Sequence, residues 1–577
     1  MVVILVVLAL IGFTCLLTYH YRRSLIARLM GLPPPVHGAA VRRNIPVPMP
    51  DGVQLLIDLY SPRAQGTFPT IFIRTPYGRG REAGLAGMIL GDFMPQRFAE
   101  RGYNVVVQGA RGRFDSGGEF DPHINEAADG QATLEWIGQQ PWFSGELGTW
   151  GPSYLGYAQW AMAAGAPPFL KAMVPGIASP ENLTVTHPDG AFGLDTRLQW
   201  ICLLHTQARG HGQPLRKRLS QMIPGRGTAN LEAAFAHLPL LEADIVATGD
   251  IVPFYRELLR NTLPDQPYWR ARDHSTSVSQ VSVPVCLIGG WYDYYLRGVL
   301  ATYATLRASG QCPHLTIGPW YHPHPGAMRA NLREGLAWFE AHLKGNHDRL
   351  CEMPVRVYIM GAREWRELHE WPPPASETRY FLQPDARLSR EAPIASSAPD
   401  QYRYDPTDPP PAVGGARFAR SQAGAKDNRS LEARPDVLCY TTPPLASDVE
   451  VIGPVRLELF VRSSLAHTDF FGRLCDVRPD GRSTNVCDGL FRIEPGNGEQ
   501  QPDGSLRIDV DMWATAYRFG RGHRLRLQVS SGAHPRWSRN LGTGEPIATG
   551  TRMNVAEQAV YHDEAHPSAL VLPMTDG

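Results

Sequence analysis

The stretch from Glu146 to Gly165 constrains the fold of this chain more than any other. An extended segment, Glu146 to Trp150, runs into a turn of small residues, Gly151-Pro152-Ser153, and a helix-like run follows from Tyr157 to Gly165. Strand, tight turn and helix with a serine at the apex make a nucleophile elbow. The turn lifts the serine hydroxyl clear of the sheet. The helix N-terminus behind it presents free backbone N–H groups and a positive dipole end where negative charge develops. Flanking glycines let neighbouring backbone approach closely. The spacing departs from the usual one: the second glycine is Gly156, and Leu155 stands where it would normally be. Taken alone, the motif suits a small-residue turn feeding a packed helix equally well, so its surroundings must decide.

Those surroundings read as alternating strands and helices. Val41 to Val47 and Val53 to Tyr60 are strands around the turn Pro50-Asp51-Gly52. Thr70 to Ile73 and Asn104 to Gln108 are buried strands ending in Arg74-Thr75-Pro76-Tyr77-Gly78 and Gly109-Ala110-Arg111-Gly112, and Asp129 to Gln140 is an amphipathic helix. Such alternation predicts a parallel sheet with helices on both faces, its functional groups beyond the carboxyl ends of the strands. From about 181 to 279 the alternation stops. Leu194 to Ala208, Asn230 to Leu240 and Ile251 to Asn261 read as helices of an inserted cap. The cap's basic cluster, Arg209, Arg216, Lys217 and Arg218, suits a solvated face better than a contact with lipid or an acidic substrate. The sheet pattern resumes with Val283 to Ile288, followed by Asp293, and with His314 to Ile317, followed by His322. The order Ser153, Asp293, His322 is that of an α/β-hydrolase triad. His314 and His324 are rivals for His322, and Asp273 is a rival for Asp293 on the wrong side of its strand. A helix from Arg333 to Gly345 closes this part. Beyond it, short alternating segments (Val355 to Met360, Val455 to Val461, Arg524 to Val529) separated by Gly, Pro and Asp turns predict an antiparallel β-sandwich, with Pro393 to Pro435 as a surface wrap.

Met1 to Thr18 is almost wholly apolar and ends at Tyr19-His20-Tyr21-Arg22-Arg23. It lacks the basic start and small-x-small site of a cleaved leader, so it predicts an uncleaved N-terminal membrane anchor. Arg22, Arg23 and Arg28 follow the span, and the positive-inside rule then puts the body in the cytoplasm, with a periplasmic or extracellular body as the alternative. Lys plus Arg and Asp plus Glu both number 56, a balance that argues against a nucleic-acid partner. The eight cysteines show no C-x-x-C and no metal-ligand spacing, which argues against a metal site. Cys475 and Cys487 lie symmetrically about Gly481 and could face each other across a hairpin; two buried thiols are preferred to a disulfide there.

Arg74-Thr75-Pro76-Tyr77, Gly109-Ala110-Arg111-Gly112, Gly151-Pro152-Ser153-Tyr154-Leu155-Gly156, Gly290-Trp291-Tyr292-Asp293 and Gly318-Pro319-Trp320-Tyr321-His322 form one set of motifs. Tyr404-Asp405-Pro406, Asp436-Val437-Leu438 and Asp476-Val477-Arg478-Pro479-Asp480-Gly481 add to it. Together they resemble the cocaine-esterase and X-Pro dipeptidyl-peptidase group of serine hydrolases, which includes α-amino-acid ester hydrolases and acylases. The resemblance runs from about Val41 to the C-terminus and leaves the apolar segment, 1–21, outside. It implies an α/β-hydrolase domain in two parts, 36–180 and 280–350, around a helical cap, 181–279, and then a C-terminal jelly-roll β-sandwich, 351–577. It also implies Ser153 as nucleophile, Asp293 as acid, His322 as base, and an oxyanion hole made by the Tyr77 hydroxyl and the Tyr154 backbone N–H. These roles are physically coherent: serine needs a base to accept its proton, and histidine titrates near neutrality. Trp291 and Trp320 are expected to pack around the site, or else to line an acyl or leaving-group pocket. The expected activity is hydrolysis of a small carboxylic ester, or of an amide or short peptide, with no cofactor and no metal. X-Pro dipeptidyl-peptidase and amino-acid ester hydrolase activities are alternatives that need carboxylates to hold a free amine, for which the cap offers Asp189, Asp195 and Glu242. A catalytically silent binding protein is a further alternative, against which the intact Ser, Asp and His weigh.

Overall fold

The computed structural model describes residues 21–575 except 81, 83–86, 211–227 and 323. Its first sheet has ten strands: β1 (Ala39–Pro48), β2 (Gln54–Pro62), β3 (Phe68–Thr75), β4 (Asn104–Gly109), β5 (Phe143–Pro152), β6 (Leu170–Gly176), β7 (Cys286–Tyr292), β8 (His314–Tyr321), β9 (Val355–Ile359) and β10 (Glu364–Leu368). They lie side by side in the order β1-β2-β4-β3-β5-β6-β7-β8-β9-β10. Pairing is parallel from β4 through β9 and antiparallel at both edges. The central strands bury both faces, as the runs Ile71-Phe72-Ile73 and Val105-Val106-Val107 require. Helices α1 (Glu126–Gly138), α2 (Tyr154–Ala163), α3 (Leu194–Gly210), α4 (Leu296–Ala308) and α5 (Pro325–Lys344) follow in chain order. α2, α4 and α5 pack on the sheet. α3 opens the cap, which continues through Thr228–Ala236, Ala243–Thr248 and Pro253–Arg260.

Two boundaries differ from expectation in a way that bears on the site. β7 and β8 run on to Tyr292 and Tyr321, so Trp291 and Trp320 are strand residues, and Asp293 and His322 are each the first residue past a strand end. β9, expected in the sandwich, pairs in parallel with β8 through Leu315–Val355 and Ile317–Val357. Its alternation of buried Val355, Val357 and Ile359 with half-exposed Arg356 and Tyr358 is that of a strand near a sheet edge, covered on one face.

Twelve further strands, from Ser376 to Met574, form the jelly-roll β-sandwich. Its longest pair is Val449–Ser463 against Leu506–Phe519, and Val451, Leu457, Leu459, Val510 and Leu527 are fully buried in its core. The hairpin around Gly481 forms, but a bulge shifts its register: Cys487 faces Leu474 and Cys475 faces Asn485. Both cysteines are free and buried. The segment expected as a surface wrap is partly interior. Arg417 is buried and pairs with buried Asp195 of α3 at 2.8 Å, fastening the segment to the cap.

The N-terminal expectation requires correction. Among the described residues no helix is long and apolar enough to cross a membrane, so neither the anchor nor the cytoplasmic placement drawn from it is supported. The apolar stretch 1–20 from which it was read lies outside the described residues. The helix at 21–30 packs on the body: Ala27 is buried, and Arg23 donates to Glu100 at 2.8 Å and to the His37 carbonyl. Arg23, read as a topology signal, is thus engaged in holding the fold. In the cap's basic cluster, Arg209 pairs with Asp250, while Arg216, Lys217 and Arg218 lie outside the described residues.

Candidate active site

Ser153 stands between β5 and α2 with φ 60° and ψ −128°, the strained apex of a sharp turn. Its N–H donates to the Gly176 carbonyl of β6 at 2.9 Å. Gly151 has φ 154°, and a Cβ there would lie 2.3 Å from Leu155 Cβ. A Cβ on Gly156 would lie 2.5 Å from Ala178 Cβ. The unusual spacing therefore has a packing reason. Leu155 is fully buried and fills the space beside Gly151, while the helix meets the chain after β6 one residue later, at Gly156.

His322 Nε2 lies 2.8 Å from Ser153 Oγ, and His322 Nδ1 lies 3.0 Å from Asp293 Oδ2. Asp293 is fully buried, and its Oδ1 accepts from the Tyr295 N–H at 2.8 Å. The imidazole stacks on Tyr294 with ring centroids 4.3 Å apart. The three residues expected to act together therefore touch. The rivals do not join them: His324 accepts from Gly326 N–H at the start of α5, His314 packs on Trp338 at the opposite end of β8, and Asp273 caps the turn at Ser275.

Tyr77 and Tyr154 complete the surroundings of Ser153. The Tyr77 N–H donates to Thr75 Oγ1 at 3.1 Å, and Arg113 Nε donates to the Pro76 carbonyl at 2.8 Å, so the turn is held from both sides. Burial lowers the Arg113 guanidinium to about 10, which leaves it charged at neutral pH. The Tyr77 hydroxyl accepts from Trp200 Nε1 at 3.2 Å and sits within hydrogen-bond reach of Ser153. Burial pushes its phenol above the ordinary value, so it keeps its proton. Tyr154 is the first residue of α2, and its N–H has no carbonyl within the helix to bond. Its phenol donates to Glu126 Oε1 at 2.8 Å and accepts from the His123 N–H at 3.0 Å. Glu126 and Asp129 of α1 both pair with buried Arg74, and Asp129 also accepts from Arg111. The arginines of two strand-end motifs thus converge on one helix and hold the floor of the site.

The recess beside Ser153 is walled by the rings of Tyr77, His123, Tyr154, Trp200, Tyr294 and Tyr295, with Thr196 and Arg197 of α3. Burial holds the His123 imidazole well below its ordinary value, so it is neutral. Trp291 and Trp320 do not line this recess. Trp291 Nε1 donates to the Tyr358 carbonyl and its ring packs on Trp371, while Trp320 packs on Trp365; both serve the core. The cap carboxylates are absent too. Asp189 pairs with Arg297 at 2.7 Å, Asp195 turns to Arg417, and exposed Glu242 faces His237. Sequence reasoning missed His123, Thr196, Arg197, Trp200, Tyr294 and Tyr295. Arg197 did leave a signal: Leu194, Arg197, Ile201 and Leu204 share one helical stripe, and an arginine on an apolar stripe calls for an explanation.

Residues 51–324 match the model of the X-Pro dipeptidyl-peptidase (S15 family), and residues 351–571 match that of the X-Pro dipeptidyl-peptidase C-terminal non-catalytic domain. The chain is 33% identical over 584 residues to a cocaine esterase of Rhodococcus sp. (strain MB1 Bresler), covering 93% of this chain and 98% of the relative. Among solved structures, an aminopeptidase from a marine sediment Thaumarchaeota archaeon superposes with a TM-score of 0.79 at 22% identity, over 94% of this chain and 97% of the other. An α-amino acid ester hydrolase superposes with a TM-score of 0.78 at 22% identity over the same shares. At that identity the two structures speak for the fold.

Proposed function

The chain belongs to the CocE/NonD family of serine hydrolases, the group of cocaine esterase and the S15 X-Pro dipeptidyl-peptidases, and from that premise we propose that it hydrolyses carboxylic esters through an acyl-enzyme on Ser153. Ser153 Oγ gives its proton to His322 Nε2 as it attacks the ester carbonyl. Asp293 holds the imidazole with Nδ1 protonated and stabilises the imidazolium. The oxyanion of the tetrahedral intermediate accepts from the Tyr77 hydroxyl and the Tyr154 N–H. Collapse expels the alcohol with the proton from His322. Water then adds to the acyl-enzyme by the same route in reverse and releases the acid.

One observation favours ester over peptide: among the described residues the recess beside Ser153 holds a guanidinium and no carboxylate. A dipeptidyl-peptidase or amino-acid ester hydrolase must hold a substrate ammonium, and Arg197 would repel it. The test compares short p-nitrophenyl esters with Ala-Pro-p-nitroanilide, using Ser153→Ala as the blank. Ester turnover that disappears in Ser153→Ala is expected. Anilide turnover as fast as ester turnover would overturn the ester reading, and unchanged ester turnover in Ser153→Ala would overturn the mechanism.

A further inference from the structure

Ten arginines are buried among the described residues, and eight of them face a carboxylate. The exceptions are Arg113 and Arg197. Arg113 spends its donors on the carbonyls of Pro76 and Leu204 and on Gln207, and its guanidinium lies over the rings of Phe114 and Phe120. Arg197 is different. It is 4% exposed, it lines the recess beside Ser153, and among the described residues its hydrogen bonds are two long ones from Nη2 to Asn182, at 3.3 Å to the carbonyl and 3.4 Å to Oδ1. Its Nε has no hydrogen-bond partner among the described residues. Asn182 is itself half used: Oδ1 also accepts from the Tyr295 hydroxyl at 3.2 Å, while Nδ2 has no partner.

A buried charge without a counter-charge is costly, and proteins keep one where something else completes it. Resting on the ester-hydrolase reading, we infer that Arg197 is the anchor for a carboxylate carried by the substrate. The planar fork of a guanidinium binds a carboxylate through paired N–H donors, and a recess closed by aromatic rings strengthens that charge-assisted bond. The same charge also raises the potential around Tyr77 and Tyr295, whose phenols it pulls downward against the larger effect of burial. The substrate class is then an ester of a dicarboxylic acid with one acid left free, or an ester whose alcohol part carries the acid. Both put an anion within the walls that hold Ser153. Neutral esters of the same length would leave the guanidinium as it stands now, and substrates with a free amine would meet like charge.

The test uses two isosteric pairs. For an anion on the acyl side, mono-4-nitrophenyl adipate is compared with its methyl ester. For an anion on the leaving group, 4-(butanoyloxy)benzoate is compared with its methyl ester. The readout is the anionic-to-neutral ratio of kcat/KM, corrected for spontaneous hydrolysis, in the wild type and in Arg197→Gln and Arg197→Lys. In one pair, Arg197→Gln is expected to lower the ratio at least tenfold, with Arg197→Lys in between; that pair identifies the side on which the anion sits. Ratios within twofold of the wild type in both pairs would overturn the inference and leave Arg197 a structural cation. Should Arg197→Gln fail to fold, inhibition of neutral-ester turnover by adipate but not by adipamide in the wild type carries the same expectation, and equal inhibition overturns it. Calorimetric titration of Ser153→Ala with mono-4-nitrophenyl adipate and its methyl ester separates this inference from the reading beneath it. Preferential binding of the anion there supports the anchor even if no ester is turned over, and equal binding refutes it even if neutral esters are.

Discussion

Tyr77→Phe isolates one hydroxyl at the centre of the proposed mechanism. The phenol is buried, and its turn is fixed by Thr75 Oγ1 and Arg113, so phenylalanine should occupy the same volume with the same backbone. Two things are lost. One is a donor to the oxyanion; removing a single such donor typically costs about 2.7–4 kcal/mol of barrier, or roughly 10²–10³ in kcat. The other is the acceptor for Trp200 Nε1 at 3.2 Å, and leaving that buried indole N–H unpaired costs about 1–3 kcal/mol of stability. The two losses appear in different measurements. Steady-state kinetics on a neutral p-nitrophenyl ester should show the fall in kcat with KM little changed, because the donor is needed in the transition state. Urea unfolding should show the smaller loss of stability. Labelling of Ser153 by a fluorophosphonate confirms that the folded site is counted. A kcat within threefold of the wild type in well-folded Tyr77→Phe would refute the assignment of the hydroxyl to the oxyanion hole.

Two further substitutions test how the site and its neighbour are held. Gly156→Ala gains about 1 kcal/mol of helix propensity but places a Cβ 2.5 Å from Ala178 Cβ and 3.1 Å from the Gly151 carbonyl, where overpacking costs about 1–3 kcal/mol. A net loss of stability with reduced turnover is expected, and a variant more stable than the wild type would show that the contact can relax. In the sandwich, Asp488 is buried between Arg473 and Arg536. Burial raises its carboxyl, but the two guanidiniums outweigh that and hold it below the ordinary 3.8. Its contribution is therefore complete above about pH 4 and is lost as the pH falls through the lowered value. Asp488→Asn should cost about 3–5 kcal/mol in urea unfolding, by the same amount at pH 5 and at pH 8, and a cost that changed between those values would refute the ion-pair account.

Much of this was legible in the chain because the elements that position Ser153, Asp293 and His322 are written in local pattern. Asp293 and His322 each follow a short, largely apolar segment that reads as a strand, Ser153 follows an extended one, and position after a strand end is a local property. What was missed belongs to long-range packing. β9 carries the alternation of a half-covered strand, and nothing in Val355 to Ile359 says which sheet it joins. The apolar N-terminal stretch satisfies every local criterion for an anchor, while Arg23, counted among its flanking charges, finds Glu100 77 residues away. Asp189 and Asp195 have the right chemistry for an ammonium site, but Arg297 and Arg417 claim them from elsewhere in the chain. A charged residue's partner, unlike its helix or strand, cannot be found by looking a few residues to either side.

The strand-end motifs of this chain are joined by the same kind of long-range pairing. Arg74 leaves β3 immediately before the Tyr77 turn, and Arg111 follows β4; both reach α1, where Asp129 accepts from each. Glu126, one turn earlier on α1, completes the pairing with Arg74 and accepts from the Tyr154 hydroxyl, which anchors the first residue of α2. Tyr154 in turn receives the His123 N–H, and His123 stacks on its ring with centroids 4.6 Å apart. Two loops and two helix starts are thereby tied through a single helix, with every charge in the network paired. Fixed dipoles of this kind need no rearrangement when charge develops on the substrate, which is the condition under which an oxyanion hole works best. Against that fully paired floor, Arg197, the one wall residue whose charge is not matched among the described residues, is the place where a substrate's own charge can enter the balance.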